Sequence, residues 1–186
     1  MLTLTEQLRA GHVKRWQIVQ TSRTQTLAEH SFHVCILAGE LALHGKWPGL
    51  QVPQQRLELM HWAMFHDLIE VKTGDLASPF KECLRQAGGE SIINDAEKIA
   101  DPDYHARHMR VKGTPIETIV KLADMIEAAY FLQDNGVGIH AKEVLIRIEQ
   151  SINQLANASV EMHPELSLYF ATQIICERIL HVRIFK

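Results

Sequence analysis

Cysteine is scarce in this chain. Cys35, Cys83 and Cys176 are its three cysteines. They lie far apart and form no C-x-x-C pair, so neither a disulfide framework nor a thiolate zinc site is expected, and a reducing compartment is. Aromatic residues make up 6% of the chain, too few for a platform on which single-stranded nucleic acid stacks. Positive charge is not in excess: 19 Lys and Arg stand against 22 Asp and Glu, a formal net charge of −3. The broad positive field that non-specific nucleic-acid binding needs is therefore missing. No apolar run approaches the ~20 residues of a membrane span, and the stretch from Met1 to Ala10 carries no signal-peptide h-region. The expectation is a soluble, cytoplasmic protein that engages neither nucleic acid nor membrane.

What is abundant is histidine, with 11 residues. Neutral imidazole is the commonest side-chain metal ligand, so the placement of these histidines matters. The remaining composition, 46% hydrophobic and 22% charged over 186 residues, is ordinary globular usage. The length fits one domain spanning residues 1–186.

Hydrophobic spacing is helical nearly throughout. From Thr26 to about His44, Leu27, Val34, Leu37 and Leu41 trace one stripe. A second helix is expected after Val52-Pro53, running through Leu59, Trp62 and Ala63 toward Val71 and ending near Gly74. Ser78-Pro79 opens a short helix that stops before Gly88-Gly89, and a charged helix covers Ser91 to Ala100. The stretch from Asp101 to Gly113, interrupted by histidines and proline, has no clear assignment. Thr114-Pro115 starts a strong helix to about Gln133, and Asn135 to Gly138 is a turn cluster. Two further helices are expected, roughly Ile139 to Leu155 and Pro164 to Ile184. No alternating strand, repeat or low-complexity linker stands out, so the fold class is all-α.

Polar residues intrude on these apolar stripes at particular places. His66 follows Leu59 and Ala63 on the same stripe, with Asp67 at the edge of that face and Glu70 one turn on. His30 occupies the stripe of Leu27, Val34, Leu37 and Leu41, whereas His33 falls toward Glu40. Asp124 sits on the stripe of Val120, Ala128 and Phe131. A buried aspartate without a partner is costly. One metal ion explains all these inward polar groups economically; hydrogen-bonded core residues are the alternative. Imidazole and carboxylate suit zinc, iron, cobalt or manganese and do not choose among them.

The order His30, His66-Asp67, Asp124 resembles the HD-domain phosphohydrolases. A longer series extends the likeness: Arg15-Trp16, Arg23-Thr24, Glu29-His30-Ser31, His66-Asp67-x-x-Glu70, Thr73-Gly74-Asp75-Leu76, Pro79-x-Lys81 and Lys121-x-x-Asp124. It is similar to the bacterial 5′-deoxynucleotidases and the compact phage dATP triphosphohydrolases, and covers about Arg15 to Phe131. No Gly-Tyr-Pro element follows the His-Asp pair, which disfavours the cyclic-dinucleotide branch. After Phe131 the sequence reads as helix without chemical signal.

The resemblance implies a single HD-domain helical bundle and a divalent metal ion (Co, Zn, Mn or Mg) held by His30, His66, Asp67 and Asp124. Glu70 and Asp75 are the implied catalytic carboxylates. Lys81, Lys121 and Arg15 would grip phosphate or sugar, with Pro79 beside them. Trp16 and Ile18 would line an adenine pocket. It further implies a homo-oligomer, a dimer or a multiple of dimers, in the cytoplasm (the host's, if the gene is a phage's). The expected reaction is dATP plus water giving deoxyadenosine and triphosphate. Hydrolysis of deoxynucleoside monophosphates is the alternative within the class, and a nucleotide sensor that binds without cleaving is the alternative outside it.

Overall fold

The computed structural model of the chain describes residues 2–88 and 90–181. Its helices are α1 (Leu4–Gln7), α2 (Leu27–His44), α3 (Pro53–Phe65), α4 (Glu70–Thr73), α5 (Ser78–Gly88), α6 (Glu90–Ala100), α7 (Pro102–Val111), α8 (Pro115–Asn135), α9 (Gly138–Met162) and α10 (Leu168–Ile179). Short 3₁₀ turns cover Leu8–His12 and Pro48–Gln51. Among the described residues the only β pairings are isolated antiparallel bridges, Lys14 with Thr26 and Thr21 with Gly136. The fold is all-α, and no described helix is long and apolar enough to cross a membrane.

Helix α8 is the axis of the molecule. It packs against α2 on one side and α9 on the other, and α3, α7 and α10 also touch it. A helix surrounded in this way must be apolar on most of its circumference, and Ile116, Ile119, Leu122, Ala123, Ile126 and Ala129 are all buried. Leu41 of α2, Leu59 of α3, Ile152 of α9 and Leu168 of α10 meet this helix in one core. The start of α2 is fixed by Thr26, whose side chain accepts the Glu29 N–H at 3.2 Å.

The single helix expected from Pro53 to near Gly74 is divided. After Phe65 the backbone tightens: the N–H groups of Leu68, Glu70 and Val71 bond to the carbonyls of Phe65, Asp67 and Leu68 at 3.0, 2.9 and 3.1 Å, three residues back rather than four. In such a turn residues i and i+3 eclipse. Asp67 and Glu70 are thereby aligned, where a regular helix would have paired His66 with Glu70.

The stretch without a clear assignment, Asp101 to Gly113, contains α7. Asp101 is its N-cap, accepting the N–H groups of Asp103 and Tyr104 at 3.0 and 3.1 Å. Pro102 takes the first helical position, where its missing N–H costs nothing. Asp101 also accepts the Leu2 N–H at 2.6 Å, tying the N-terminal segment to this helix. Helix α9 runs further than expected, to Met162, and α10 begins later, at Leu168. Between them buried His163 lies 2.9 Å from the Thr118 hydroxyl, and the Ser167 N–H donates to the Gly45 carbonyl, so tertiary partners occupy this backbone. Helix α10 ends at Ile179; residues 182–184 of the expected run lie outside the described residues.

Replacing the Asp101 cap removes three backbone bonds at once. Asp101→Ala is expected to lower stability by about 1–2 kcal/mol, the upper range for loss of an N-cap, read as a lower urea midpoint with unchanged slope.

Candidate active site

Side chains from three separate segments converge beside α8. His30 lies on the buried face of α2 and has no exposed surface. His66 and Asp67 come from the tight turn after α3, and Asp124 comes from α8. One ligating atom from each lies within 4.8 Å of every other. His30 Nε2 is 3.2 Å from Asp124 Oδ1 and 3.7 Å from Asp67 Oδ2. His66 Nε2 is 3.4 Å from Asp67 Oδ2 and 4.0 Å from Asp124 Oδ1.

The donor set fits a divalent cation. Ligands held about 2.1 Å from one ion at tetrahedral angles stand about 3.4 Å apart. The Nε2 atoms of both His30 and His66 are buried without a hydrogen-bond partner. Their other nitrogens are engaged: His66 Nδ1 lies 2.9 Å from the Ala63 carbonyl and His30 Nδ1 lies 2.6 Å from Glu127 Oε2. Each outer contact leaves Nε2 as the ligating lone pair.

The charges around the cluster say the same. Burial opposes charge on His66, but Asp67 and Asp124 outweigh it and push the imidazole up to about 9. Burial likewise opposes the Asp67 carboxylate, yet His66 and Arg15 hold it well below the usual range. The cluster therefore draws positive charge into itself. Arg15 supplies some from the side, with Nη1 2.9 Å from Asp67 Oδ2 and Nη2 3.9 Å from Asp124 Oδ1.

Glu70 is buried, and Lys81 Nζ stands 3.0 Å from its Oε1. Burial and the nearby Asp67 carboxylate push the Glu70 carboxyl up to about 8 despite the lysine. Asp75 follows Gly74, whose φ of 74° and ψ of 163° belong to a region essentially confined to glycine. That corner brings Asp75 to the edge of a cavity of about 590 Å³.

Arg15 and Asp124 line the same cavity, so it opens onto the four-residue cluster. Trp16, Ile18 and Pro79 line it too. Ile18 is 56% exposed and is not part of the core. Trp16 adopts a left-handed backbone, φ 63°, rare for a bulky residue. Its indole N–H donates to Gln25 Oε1 at 2.8 Å, and its ring lies parallel to Phe131 with centroids 5.9 Å apart. Lys121 is exposed on α8, outside the cavity lining and without a hydrogen bond or ion pair among the described residues.

Several residues at the site carried no reading from sequence. Val144, Ile148 and other side chains of α9 form a cavity wall, although the chain after Phe131 carries no chemical motif. Tyr104 of α7 donates its hydroxyl proton to the His66 carbonyl. Glu127 has no exposed surface and contacts both His30 and His33. A signal for Glu127 existed: it shares a helical stripe with Val120, Asp124 and Phe131.

Residues 4–165 match the protein family described as 5′-deoxynucleotidase YfbR-like. The chain is similar to the dATP triphosphohydrolase of Salmonella phage PMBT28, 35% identical over 162 residues that span 84% of this chain and 80% of that one. It is similar to the dATP triphosphohydrolase of Cyanophage S-2L, 33% identical over 177 residues, 91% and 93% of the two chains. Among solved structures, the Cyanophage S-2L HD phosphohydrolase bound to dA and one catalytic Zn²⁺ ion matches with a TM-score of 0.79 at 25% identity, covering 96% of this chain and 98% of that one.

The Glu70–Lys81 contact carries a test of its own. Lys81 lowers the Glu70 carboxyl, against burial and Asp67. In the metal-free protein Glu70 is expected to titrate near 8, and Lys81→Met to move that titration upward, as read by ¹³C chemical shift.

Proposed function

The chain belongs to the YfbR-like 5′-deoxynucleotidase family of HD phosphohydrolases, and we propose that it hydrolyses dATP to deoxyadenosine and triphosphate. One observation carries the reading. The cluster of His30, His66, Asp67 and Asp124 adjoins a cavity that Arg15 and Asp124 line at the polar side and Trp16 and the exposed Ile18 line as apolar surface. The similarity to two phage dATP triphosphohydrolases supports the choice of substrate.

A divalent cation held by His30, His66, Asp67 and Asp124 supplies Lewis-acid polarisation of a phosphoryl oxygen and lowers the pKa of water. Arg15 and Lys81 offset negative charge on the phosphates. Lys121, exposed and unpaired among the described residues, is placed by this reading at the outer phosphates. Glu70, buried and with Lys81 Nζ 3.0 Å from its Oε1, is the carboxyl this reading assigns to moving a proton at the attacking water or the leaving oxygen. Asp75, at the edge of the cavity, is the second carboxylate of this reading. Trp16 offers an aromatic face to the base, and Ile18 with Pro79 closes on its edge. Cys35, Cys83 and Cys176 are all free thiols, in keeping with a cytoplasmic setting. Phe32, Ile36 and Leu43 are 56%, 51% and 60% exposed along one side of α2, in keeping with a homo-oligomer.

A second reading is favoured by the family description itself: release of phosphate from deoxynucleoside monophosphates. Product analysis separates the two. Incubation of the metal-loaded chain with dATP and dAMP is expected to yield triphosphate from the former; orthophosphate from dAMP as the dominant activity would overturn the triphosphohydrolase assignment. In the same assay His66→Ala is expected to lose metal and turnover together, whereas Glu70→Ala keeps the metal and loses ~100-fold or more in kcat, the scale of general acid–base catalysis.

Base choice is read at Ile18. An isoleucine against the base edge leaves a guanine 2-amino group stripped of water and without a partner. Ile18→Ala is expected to shift the dATP to dGTP ratio of kcat/KM toward dGTP by about 10-fold or more, within the range for reshaping an apolar pocket. Trp16→Ala is expected to weaken all bases alike. An unchanged ratio in Ile18→Ala would remove Ile18 from the base pocket.

A further inference from the structure

A chain of hydrogen bonds runs through the interior from Trp16 to His30. The Trp16 indole N–H donates to Gln25 Oε1 at 2.8 Å. The Gln25 amide Nε2 donates to Glu127 Oε1 at 2.6 Å. The other Glu127 oxygen, Oε2, stands 2.6 Å from His30 Nδ1. Gln25, Glu127 and His30 have no exposed surface, so water cannot replace any of these three. His33 Nδ1 approaches Glu127 Oε1 from the side at 3.2 Å.

The chemistry of the members dictates one direction along this chain. An indole N–H donates and never accepts. Gln25 must therefore turn its carbonyl oxygen to Trp16 and its NH₂ to Glu127. An ionised carboxylate only accepts, so Glu127 takes one proton from Gln25 and another from His30. Nδ1 of His30 is then the protonated nitrogen, and Nε2 is left with its lone pair toward Asp67 and Asp124. Flipping Gln25 would set its NH₂ against the Trp16 N–H and its carbonyl against Glu127, and the other His30 tautomer would set an unprotonated Nδ1 against the carboxylate, acceptor against acceptor. The left-handed backbone of Trp16 makes the indole contact more consequential, because a bulky residue holds that conformation only where its surroundings over-determine it.

We propose that Glu127 and Gln25 are positioning residues for both halves of the active site: one buried carboxylate sets the His30 tautomer that a metal ligand needs and, through Gln25, anchors the indole beside the nucleoside. The inference rests on the reading above, with His30 at the metal and Trp16 at the base. It adds that these halves share a single support, which neither the ligand set nor the base pocket requires.

Two near-isosteric variants test it. In Glu127→Gln the new NH₂ must face either the His30 Nδ1–H or the Gln25 amide, and the second choice forces Gln25 to flip its NH₂ against the Trp16 N–H. Gln25→Met keeps the volume and removes both bonds. Binding of Co²⁺, by competition with a chromogenic chelator, is expected to weaken about 10- to 100-fold in Glu127→Gln, the usual effect of losing an outer-shell partner. Binding of deoxyadenosine, by calorimetry, is expected to weaken in both variants. A merely structural role lowers Tm and leaves both affinities within twofold of wild type, and that outcome overturns the proposal. If Glu127→Gln does not fold, Gln25→Met and a mutation-free measurement decide: in the zinc-loaded wild-type chain, ¹⁵N-histidine spectra are expected to show His30 protonated at Nδ1, and protonation at Nε2 overturns the proposal. A wild-type chain that binds no Co²⁺ overturns the function proposed above together with this inference. Normal wild-type binding with unchanged variants overturns this inference alone.

Discussion

Two carboxylates and two imidazole lone pairs aimed at one small volume repel each other unless positive charge sits among them. The fold nevertheless holds His30, His66, Asp67 and Asp124 with their ligating atoms within 4.8 Å. Much of the surrounding architecture follows from that constraint. The groups come from α2, the turn after α3, and α8, so packing among these elements must be rigid enough to resist the repulsion. The close-packed inner faces of α2 and α8 provide that rigidity. Arg15 supplies partial compensation from outside the helices, at 2.9 Å from Asp67. The rest is left to a cation, and the raised His66 imidazole shows the same demand expressed as a proton.

The tight turn after Phe65 is the local counterpart of this constraint. This turn delivers both His66 and Asp67, adjacent in sequence, to the one cluster. Tightening to three residues per turn brings Asp67 and Glu70 onto one line while His66 stays tied to the Ala63 carbonyl. The His66 carbonyl, in turn, receives the Tyr104 hydroxyl proton, so α7 braces the turn from the far side. Gly74 then ends α4 in a backbone geometry that a side chain would resist, and the chain emerges at the cavity with Asp75.

The nucleotide side is organised by different means. Ile18 remains exposed in a cavity because no core residue covers it, and Trp16 holds an unusual backbone through its indole bond to Gln25 and its stack on Phe131. The opposite wall comes from α9, through Val144 and Ile148. The same helix brings His140, Arg147 and Ser151 to the cavity, residues that form no recognisable motif in sequence.

Sequence by itself determined the all-α class, the existence and near limits of α2, α5 and α8, and the inward placement of His30, His66 and Asp124, because amphipathic spacing is a local property written at every third or fourth residue. It also exposed the order of polar residues that marks the family. Tertiary structure decided the rest. The break at 66–69, the capping that turns Asp101 to Gly113 into α7, and the late start of α10 at Leu168 depend on partners distant in the chain, such as Leu2 for Asp101 and Gly45 for Ser167. The same holds for Glu127 and Gln25, which are 102 residues apart. A buried carboxylate or amide is tolerable only where another segment completes its hydrogen bonds, and no periodicity within one helix records which segment that is.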